Sequence, residues 1–339
     1  MAAKVTREID GRTVAFSSWD KPYFPAVGLT KGDVVEYYLA VADALMPHCV
    51  DRPCNLERYP DGVAGDSFVQ KRLPDNRPDW VRTAEVTFGS GRRAVELCPA
   101  SIADIAWSVN LGAITVHPWS LRMTDENRTD PDELRVDLDP MPGVDWPAIR
   151  RVTRVVGEVL AEHGIVGLPK TSGATGMHVI CRITPRPYVD VRAAAVALAR
   201  EVERRCDDAT ASWWKEERGQ CVFLDYNQNL WDRTMACAYA VRPTADARVS
   251  LPFRWDELDD VEPKDATVTT TPGLLRDRGD VSTVLAGRAD DIDGLLALAA
   301  RDAASGLDDL PLPPHYPKFP REPTRVPPSR AARRDGDAS

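Results

Sequence analysis

Apolar and acidic residues alternate over residues 135–140, Arg-Val-Asp-Leu-Asp-Pro. A period of two predicts a half-buried β-strand whose successive side chains point to opposite faces. Val136 and Leu138 are therefore expected to face the core. Asp137 and Asp139 then lie side by side on the open face, where their carboxylates repel each other unless a cation lies between them. Oxygen ligands on one strand suit Mg²⁺ or Mn²⁺, so this strand is the first candidate for chemistry.

Helical periodicity recurs elsewhere in the chain. Thr30 and Asp33 form a capping-box signature, and the helix that they begin is expected to run to about Met46, where Pro47 stops it. Further helices are predicted over 101–110, 145–164 and 190–206. Strands are predicted over 113–117, 165–170, 177–183, 221–225 and 235–241, with strand-like pieces before residue 29.

Composition places the chain among soluble globular proteins. The 339 residues are 43% hydrophobic and 28% charged, which is ordinary for that class. There is no apolar run long enough to span a bilayer, and the N-terminus lacks the apolar core of a secretory signal, so a cytoplasmic location is expected. Seven dispersed cysteines without a C-x-x-C pair argue against a disulfide framework and against a structural zinc site.

The net charge of −9 is unevenly distributed. Residues 256–310 carry 14 acidic and 5 basic residues, whereas 311–339 carry 6 basic and 3 acidic residues together with eight prolines. The rest of the chain is close to neutral, so the charge neither excludes nucleic-acid binding nor argues for it. We expect a single two-lobed catalytic domain over 1–310, with the acidic helical segment 256–310 packed on it. The proline-rich tail 311–339 is expected to be extended or disordered.

A third carboxylate follows the apolar strand 221–224 at Asp225. Phosphoryl transfer to a 3′-hydroxyl uses two divalent ions about 4 Å apart, which two or three converging carboxylates hold. Asp225 is the natural partner of Asp137 and Asp139, although an acid that ends a strand is commonly only a loop residue.

A glycine-containing turn over 172–178 (Ser-Gly-Ala-Thr-Gly-Met-His) is the second candidate element. Gly173 and Gly176 allow consecutive N–H groups to converge on an anion, and Ser172 adds a hydroxyl. His178, at the start of the next strand, is placed to donate to a phosphate oxygen. The turn is not a P-loop, and taken alone a hairpin turn without a ligand is the more frequent structure.

Basic and aromatic residues are interleaved in the first part of the chain. This combination suits phosphate contact with base stacking, but by itself it equally fits a solvated surface over core aromatics. The residues concerned are Lys21, Lys31, Arg52, Arg58, Lys71 and Arg72 among Tyr23, Phe24, Tyr59 and Phe68.

The order D-x-D, S-G-x-x-G-x-H and a strand-end Asp resembles the archaeo-eukaryotic primase superfamily. Within it, the chain looks most like the polymerase module of bacterial DNA ligase D and the stand-alone primase-polymerases of the Prim-PolC type. The similarity covers most of residues 15–300. It includes the stretches 20–25 (Asp-Lys-Pro-Tyr-Phe-Pro), 59–62 (Tyr-Pro-Asp-Gly), 225–229 (Asp-Tyr-Asn-Gln-Asn) and 239–242 (Tyr-Ala-Val-Arg).

The resemblance implies an α+β fold of two lobes, with mixed and antiparallel sheets flanked by helices around a central catalytic cleft. Asp137, Asp139 and Asp225 would hold two Mn²⁺ or Mg²⁺ ions. The nucleotide-binding residues would be His117, Ser172, Gly173, Gly176, His178, Gln228, Arg233 and Arg242. The DNA-binding residues would be Lys21 and Lys31 at the 5′-phosphate of a gap, Phe68 at the template, and Arg52 and Lys71.

The resemblance further implies a monomeric DNA-directed polymerase that adds one or a few nucleotides, prefers ribonucleotides and fills short gaps in end joining or base excision repair. Its substrates would be NTP or dNTP and gapped, 5′-phosphorylated DNA. Its expected partners are a separate ATP-dependent ligase, since a ligase domain has no room here, and a DNA end-binding protein. Three departures change the expected contacts: Thr175 stands where relatives often have Lys, Val69 replaces a second aromatic, and Arg233 replaces the usual Lys.

Two other functions remain open at this stage. An aspartyl-phosphate phosphatase would use a D-x-D loop, but Met141 stands where that loop needs Thr. A catalytically inert DNA-binding homologue would have no need of three clustered acids, which repel DNA.

Overall fold

The structure is a computed structural model that describes residues 4–88, 91–124 and 130–313. The strands in this part of the chain are β1 (Val5–Ile9), β2 (Arg12–Phe16), β3 (Pro22–Phe24), β4 (Leu29–Thr30), β5 (Cys54–Arg58), β6 (Phe68–Gln70), β7 (Thr83–Thr87), β8 (Arg93–Leu97), β9 (Ala113–Pro118), β10 (Glu133–Pro140), β11 (Gly167–Thr171), β12 (Met177–Arg182), β13 (Ala209–Thr210) and β14 (Val222–Leu224). The α-helices are α1 (Lys31–Ala40), α2 (Ala42–Cys49), α3 (Ile102–Asn110), α4 (Trp146–Glu162), α5 (Tyr188–Arg205), α6 (Thr271–Arg278) and α7 (Asp293–Ala304). This mixture confirms the predicted α+β class.

One five-stranded sheet, which we call the C-terminal sheet, has the order β11-β12-β10-β14-β13. Its pairs are antiparallel except for the parallel pair β13–β14. Helices α4 and α5 pack on one face of it, where their apolar residues share a core with Val136 and Leu138 of β10. The alternation over 135–140 therefore has the predicted inward apolar side.

The second sheet, the N-terminal sheet, has the order β6-β5-β8-β7, and β9 pairs with β5 on the other side. Its core includes Leu56, Val116, and residues of α1 and α3 such as Tyr38 and Ile105. The buried hydroxyl of Tyr38 links two segments of this core: it donates to the carbonyl of Ile114 and accepts from the N–H of Val241.

Two predicted elements differ from the structure. The helix that begins at Thr30 has the predicted capping box, but it breaks at Val41, and Pro47 lies inside α2 rather than ending it. The predicted strand 235–241 is wrong, since the segment is an irregular loop with one isolated bridge from Val241 to Val249. Tyr239 has a φ of 63°, a left-handed conformation that a continuous strand does not accommodate.

The acidic segment 256–310 contains α6 and α7. Helix α7 lies against α5, and Leu295 and Leu298 on α7 are buried. Of the predicted tail, only residues 311–313 belong to the described part, and residues 314–339 lie outside it. Among the helices in the described ranges, none has the length and apolar character that crossing a membrane requires.

Candidate active site

Three carboxylates meet on the face of the C-terminal sheet that is turned away from α4 and α5, where the antiparallel strands β10 and β14 lie side by side. Asp137, Asp139 and Asp225 each offer an oxygen, and these oxygens lie within 4.8 Å of one another. The pairing of β10 with β14 brings them together: Leu138 lies opposite Leu224, and the N–H of Asp225 donates to the carbonyl of Asp137 at 2.9 Å. Two acids on one strand and a third far along the chain thus form one cluster, whose three hard oxygen donors could hold a divalent metal ion.

The three acids hold their protons more tightly than ordinary carboxyl groups. Burial raises the pKa of Asp137 to about 6, although a hydrogen bond of 2.8 Å from Gln228 Nε2 lowers it. Burial and the neighbouring carboxylates raise the pKa of Asp139 and of Asp225 to about 7. Mutual repulsion of this kind is relieved by a bound cation, so the electrostatics fit a metal site as well as the donor set does.

The glycine turn packs directly against the strand that carries two of the acids. A Cβ on Gly176 would lie 2.1 Å from the carbonyl oxygen of Leu138, and a Cβ on Gly173 would lie 2.4 Å from Cγ of Arg242. Gly173 also has a φ of +70°, which favours glycine. Both glycines are therefore required by close approach, which places the turn beside the carboxylates.

Ser172 organises the interior of this turn. Its hydroxyl oxygen accepts from the N–H groups of Ala174 and Gly176, each at 3.1 Å. A hydroxyl has two acceptor sites and one donor, so Ser172 can still donate its proton to an anion.

His178 lies in the middle of a polar row that crosses three strands. It is opposite Lys170 of β11 on one side and Asp137 of β10 on the other. Its Nδ1 is 2.6 Å from Lys170 Nζ, and its Nε2 is 3.3 Å from Asp137 Oδ1. Burial, together with the positive charges of Lys170 and Arg242, holds the pKa of His178 well below its usual range, so the imidazole is neutral.

Lys170 was missed at the sequence level. It is fully buried, and its ammonium also donates to Ser250 Oγ at 2.6 Å. The sequence could have indicated Lys170, because it is a lysine in an otherwise apolar strand next to a glycine turn.

His117 faces the site from the N-terminal sheet. Its Nε2 is 3.2 Å from Glu57 Oε2, and Arg242 Nη1 is 3.9 Å from the same oxygen. Burial alone would raise the pKa of Glu57. The contacts with His117 and Arg242 outweigh burial and lower the pKa to about 2. Glu57, a second residue missed from sequence, is thus an ionised carboxylate that orients His117.

Arg242 carries unused hydrogen-bonding capacity. Its Nε and Nη1 are buried, and neither has a hydrogen-bond partner among the described residues. Because buried donors without partners are costly, this guanidinium is suited to receive an anion.

A basic pocket of about 820 Å³ opens beside the carboxylates. Gln228, which donates to Asp137, is part of its wall. Among the described residues, five cations and one acid, Asp232, line the pocket, and Lys71 Nζ lies 4.4 Å from the ring centre of Phe88. The cations are Lys71, Arg72, Arg92, Arg93 and Arg233.

The predicted DNA-binding residues occupy different environments. Phe68 is 47% exposed, with the guanidinium of Arg58 5.0 Å from its ring centre. Lys21 Nζ donates to the carbonyl of Pro60 and to Asp61 Oδ1 at the surface. Lys31 is buried, and its ammonium donates to the carbonyl of Ser17 and to both oxygens of Asn110. In this conformation all three of its donors are used within the protein.

The prediction that Arg52 contacts DNA is wrong. Its side chain has no exposed surface, and it forms ion pairs with Asp132 at 2.6 Å and with Glu133 at 3.1 Å. Glu133 also pairs with Arg135 and Arg182. A buried guanidinium needs such partners, so Arg52 has a structural role.

The chain is similar to known proteins over most of its length. A family model described as "LigD, primase-polymerase domain" matches residues 30–282. The multifunctional non-homologous end joining protein LigD of Mycolicibacterium smegmatis is 29% identical over 310 residues, which cover 90% of this chain and 40% of the relative. The protein of the same name from Mycobacterium bovis is 33% identical over 258 residues, 73% of this chain and 34% of the relative.

A solved structure extends this similarity to the fold. The polymerase domain of Mycobacterium tuberculosis ligase D, in complex with DNA, aligns with a TM-score of 0.76 and 29% identity and covers 81% of this chain and 99% of that chain. Relative to the two curated proteins above, this chain spans 40% or less of their length. The match to the family model and the shared fold show that the chain belongs to the LigD primase-polymerase domain family.

Proposed function

We propose that this protein is a template-directed nucleotidyltransferase that adds one or a few nucleotides to a 3′-hydroxyl at gaps or ends in DNA. The observation that carries the proposal is the cluster of Asp137, Asp139 and Asp225 beside a pocket lined by five cations. Phosphoryl transfer to a hydroxyl requires carboxylates that bind metal ions and cations that bind phosphates.

Asp137, Asp139 and Asp225 would hold the divalent ions, for which two Mn²⁺ or Mg²⁺ are proposed. Such ions lower the pKa of the attacking hydroxyl and offset charge on the triphosphate. The hydrogen bond from Gln228 to Asp137 Oδ2 orients that carboxylate, and its Oδ1 lies 3.3 Å from His178 Nε2.

The incoming triphosphate would be bound by the glycine turn and by Arg242. Ser172 can donate its hydroxyl proton, and Arg242 has two buried donors that form no hydrogen bond in the described chain. Gly173 and Gly176 allow this approach because no side chain stands between the turn and its neighbours. His178, His117 and Arg233 complete the proposed nucleotide site, the last as a wall residue of the basic pocket.

Four residues would contact the DNA. Phe68 is exposed and would stack on the template, and Lys71 would contact its backbone from the pocket. Lys21 would bind the 5′-phosphate of a gap in place of Asp61. Lys31 would join it only after exchanging its bonds to Ser17 and Asn110.

The biological setting is proposed from the relatives. Those reported above are named for non-homologous end joining, and we propose this role for the chain, with base excision repair as the other setting. A preference for ribonucleotides, a monomeric state, a cytoplasmic location at the nucleoid, and cooperation with a separate ATP-dependent ligase and a DNA end-binding protein belong to the same proposal.

Incorporation of nucleotides into a gapped template with Mn²⁺ tests the function. Asp137→Ala/Asp139→Ala should abolish incorporation. Asp256→Ala/Asp259→Ala, which removes two exposed carboxylates, should retain it. Incorporation that survives the first double substitution would refute the proposal, and hydrolysis of small phosphomonoesters would favour the phosphatase.

A further inference from the structure

Lys170 occupies a place that the proposed chemistry does not yet use. It is a lysine with no exposed surface in the second-to-last position of β11, and burying an ammonium group is costly unless its donors are paired. Residues directly opposite each other on neighbouring strands have contacting side chains. The register puts Lys170 opposite His178, and His178 opposite Asp137.

The hydrogen bonds in this row have one consistent direction. Ser250 Oγ donates to the carbonyl of Thr171 at 2.7 Å, so its lone pairs are what it presents to Lys170 Nζ at 2.6 Å. In its charged form Lys170 has three N–H donors and no acceptor, so at 2.6 Å from the imidazole nitrogen it donates to that nitrogen. His178 Nδ1 is therefore the acceptor.

A neutral imidazole that accepts at Nδ1 carries its proton on Nε2. In this structure Nε2 lies 3.3 Å from Asp137 Oδ1, on the side of the carboxylate cluster. The opposite tautomer would set an N–H against the ammonium and a bare nitrogen against a carboxylate, and both contacts would be repulsive.

We infer that Lys170 is a positioning residue that fixes His178 as its Nε2–H tautomer and so aims one N–H donor at the catalytic cluster. The side chain of Lys170 bonds to His178 and Ser250, so it acts on the site through His178. Ser250 holds the lysine by accepting its second hydrogen bond. This inference deepens the proposed function, since the aimed N–H is the group offered to a phosphate oxygen of the incoming nucleotide.

The tautomer can be measured without any nucleotide. The chain has five histidines, so long-range ¹H–¹⁵N spectra of the ¹⁵N-histidine-labelled full chain are simple, and the loss of one ring pattern in His178→Gln assigns His178. We expect Nδ1 of His178 to resonate as an unprotonated nitrogen and Nε2 as a protonated one. A wild-type spectrum showing an Nδ1–H tautomer or an imidazolium would overturn the inference without recourse to any variant at position 170.

Two substitutions test the role of the lysine. Lys170→Met removes the donor and keeps a chain of similar length, and the ratio of Nε2–H to Nδ1–H forms should fall at least about tenfold, as expected for losing a hydrogen bond from a charged group. Lys170→Gln retains an N–H donor and should restore most of the ratio. Lys31→Met is the matched control, because it also removes a buried lysine, whose partners are Ser17 and Asn110, and it should leave the His178 pattern unchanged.

A kinetic measurement separates positioning from folding. Lys170→Met should raise KM for the nucleotide about tenfold, and Lys170→Gln should recover most of that loss. An unchanged His178 tautomer ratio in Lys170→Met would refute the inference. A wild-type protein with the expected tautomer but no nucleotide incorporation would refute the proposed function instead, so the two failures can be distinguished.

Discussion

Glu96 is a buried acid beneath the basic pocket, and it yields a quantitative prediction. It lies on β8, two residues after Ala94 of the pocket wall. Its Oε2 accepts from the indole N–H of Trp119 at 2.9 Å, and its Oε1 has no partner among the described residues. Burial raises the pKa of Glu96 to about 8, although Trp119 and Lys71 lower it. At neutral pH the group is therefore mostly protonated and does not cancel the positive charge of the pocket.

The raised pKa makes stability depend on pH with a definite sign. The folded state holds the Glu96 proton up to about pH 8, whereas an unfolded chain releases it near pH 4.5. Between these values the folded state binds more protons, so stability falls as pH rises and then levels off above about pH 8. At about 1.4 kcal/mol for each pKa unit, the free energy of unfolding falls by on the order of 5 kcal/mol across that interval.

Glu96→Gln replaces the neutral acid by a group of similar shape that cannot ionise. By denaturant unfolding, the variant should be within about 1 kcal/mol of wild type near pH 5.5 and more stable than wild type by about 3–4 kcal/mol near pH 9. Glu85→Gln, at an exposed site paired with Arg93, is the matched control and should show a difference below about 1 kcal/mol at both pH values. A Glu96→Gln difference that does not change with pH, or a variant less stable at pH 9, would show that Glu96 is ionised in the fold and refute the reasoning.

Three further predictions concern the site. Gly176→Ala should destabilise the fold by about 1–3 kcal/mol, measured by denaturant unfolding, because the Cβ would lie 2.1 Å from Leu138 O. Gly273→Ala, whose Cβ would lie no closer than 3.8 Å to Arg276 Nη2, should cost nothing, and equal effects would contradict the close approach. Arg242→Met should raise KM for the nucleotide about tenfold or more, with kcat less affected, and an unchanged KM would remove Arg242 from the triphosphate site. Lys21→Met should reduce the preference for a gap with a 5′-phosphate over one with a 5′-hydroxyl; equal loss on both substrates would mean that Lys21 does not bind that phosphate.

The chemistry of the site was readable where local pattern and residue type coincide. The alternation over 135–140 placed two acids on one face, and an acid after an apolar strand supplied the third. Lys170 and Glu57 were not predicted, because their roles depend on the register between strands, which no local pattern shows. Arg52 was predicted to bind DNA. Its side chain is instead buried in ion pairs with Asp132 and Glu133, some 80 residues later in the chain.

The prediction of a strand over 235–241 was wrong for a related reason. The apolar residues of this segment match a strand pattern, but their burial comes from packing in the N-terminal core, and the left-handed Tyr239 interrupts the extended backbone. Tertiary contacts here override a local preference, and only the structure could show it.

Binding of Mn²⁺ to the full chain, followed by electron paramagnetic resonance, tests whether Asp225 shares one metal site with Asp137 and Asp139. The wild-type protein should bind Mn²⁺, and Asp225→Asn should weaken binding at least about tenfold, whereas Asp259→Asn, an exposed acid outside the cluster, should leave it unchanged. Equal affinities of the wild type and Asp225→Asn would contradict the three-carboxylate metal site.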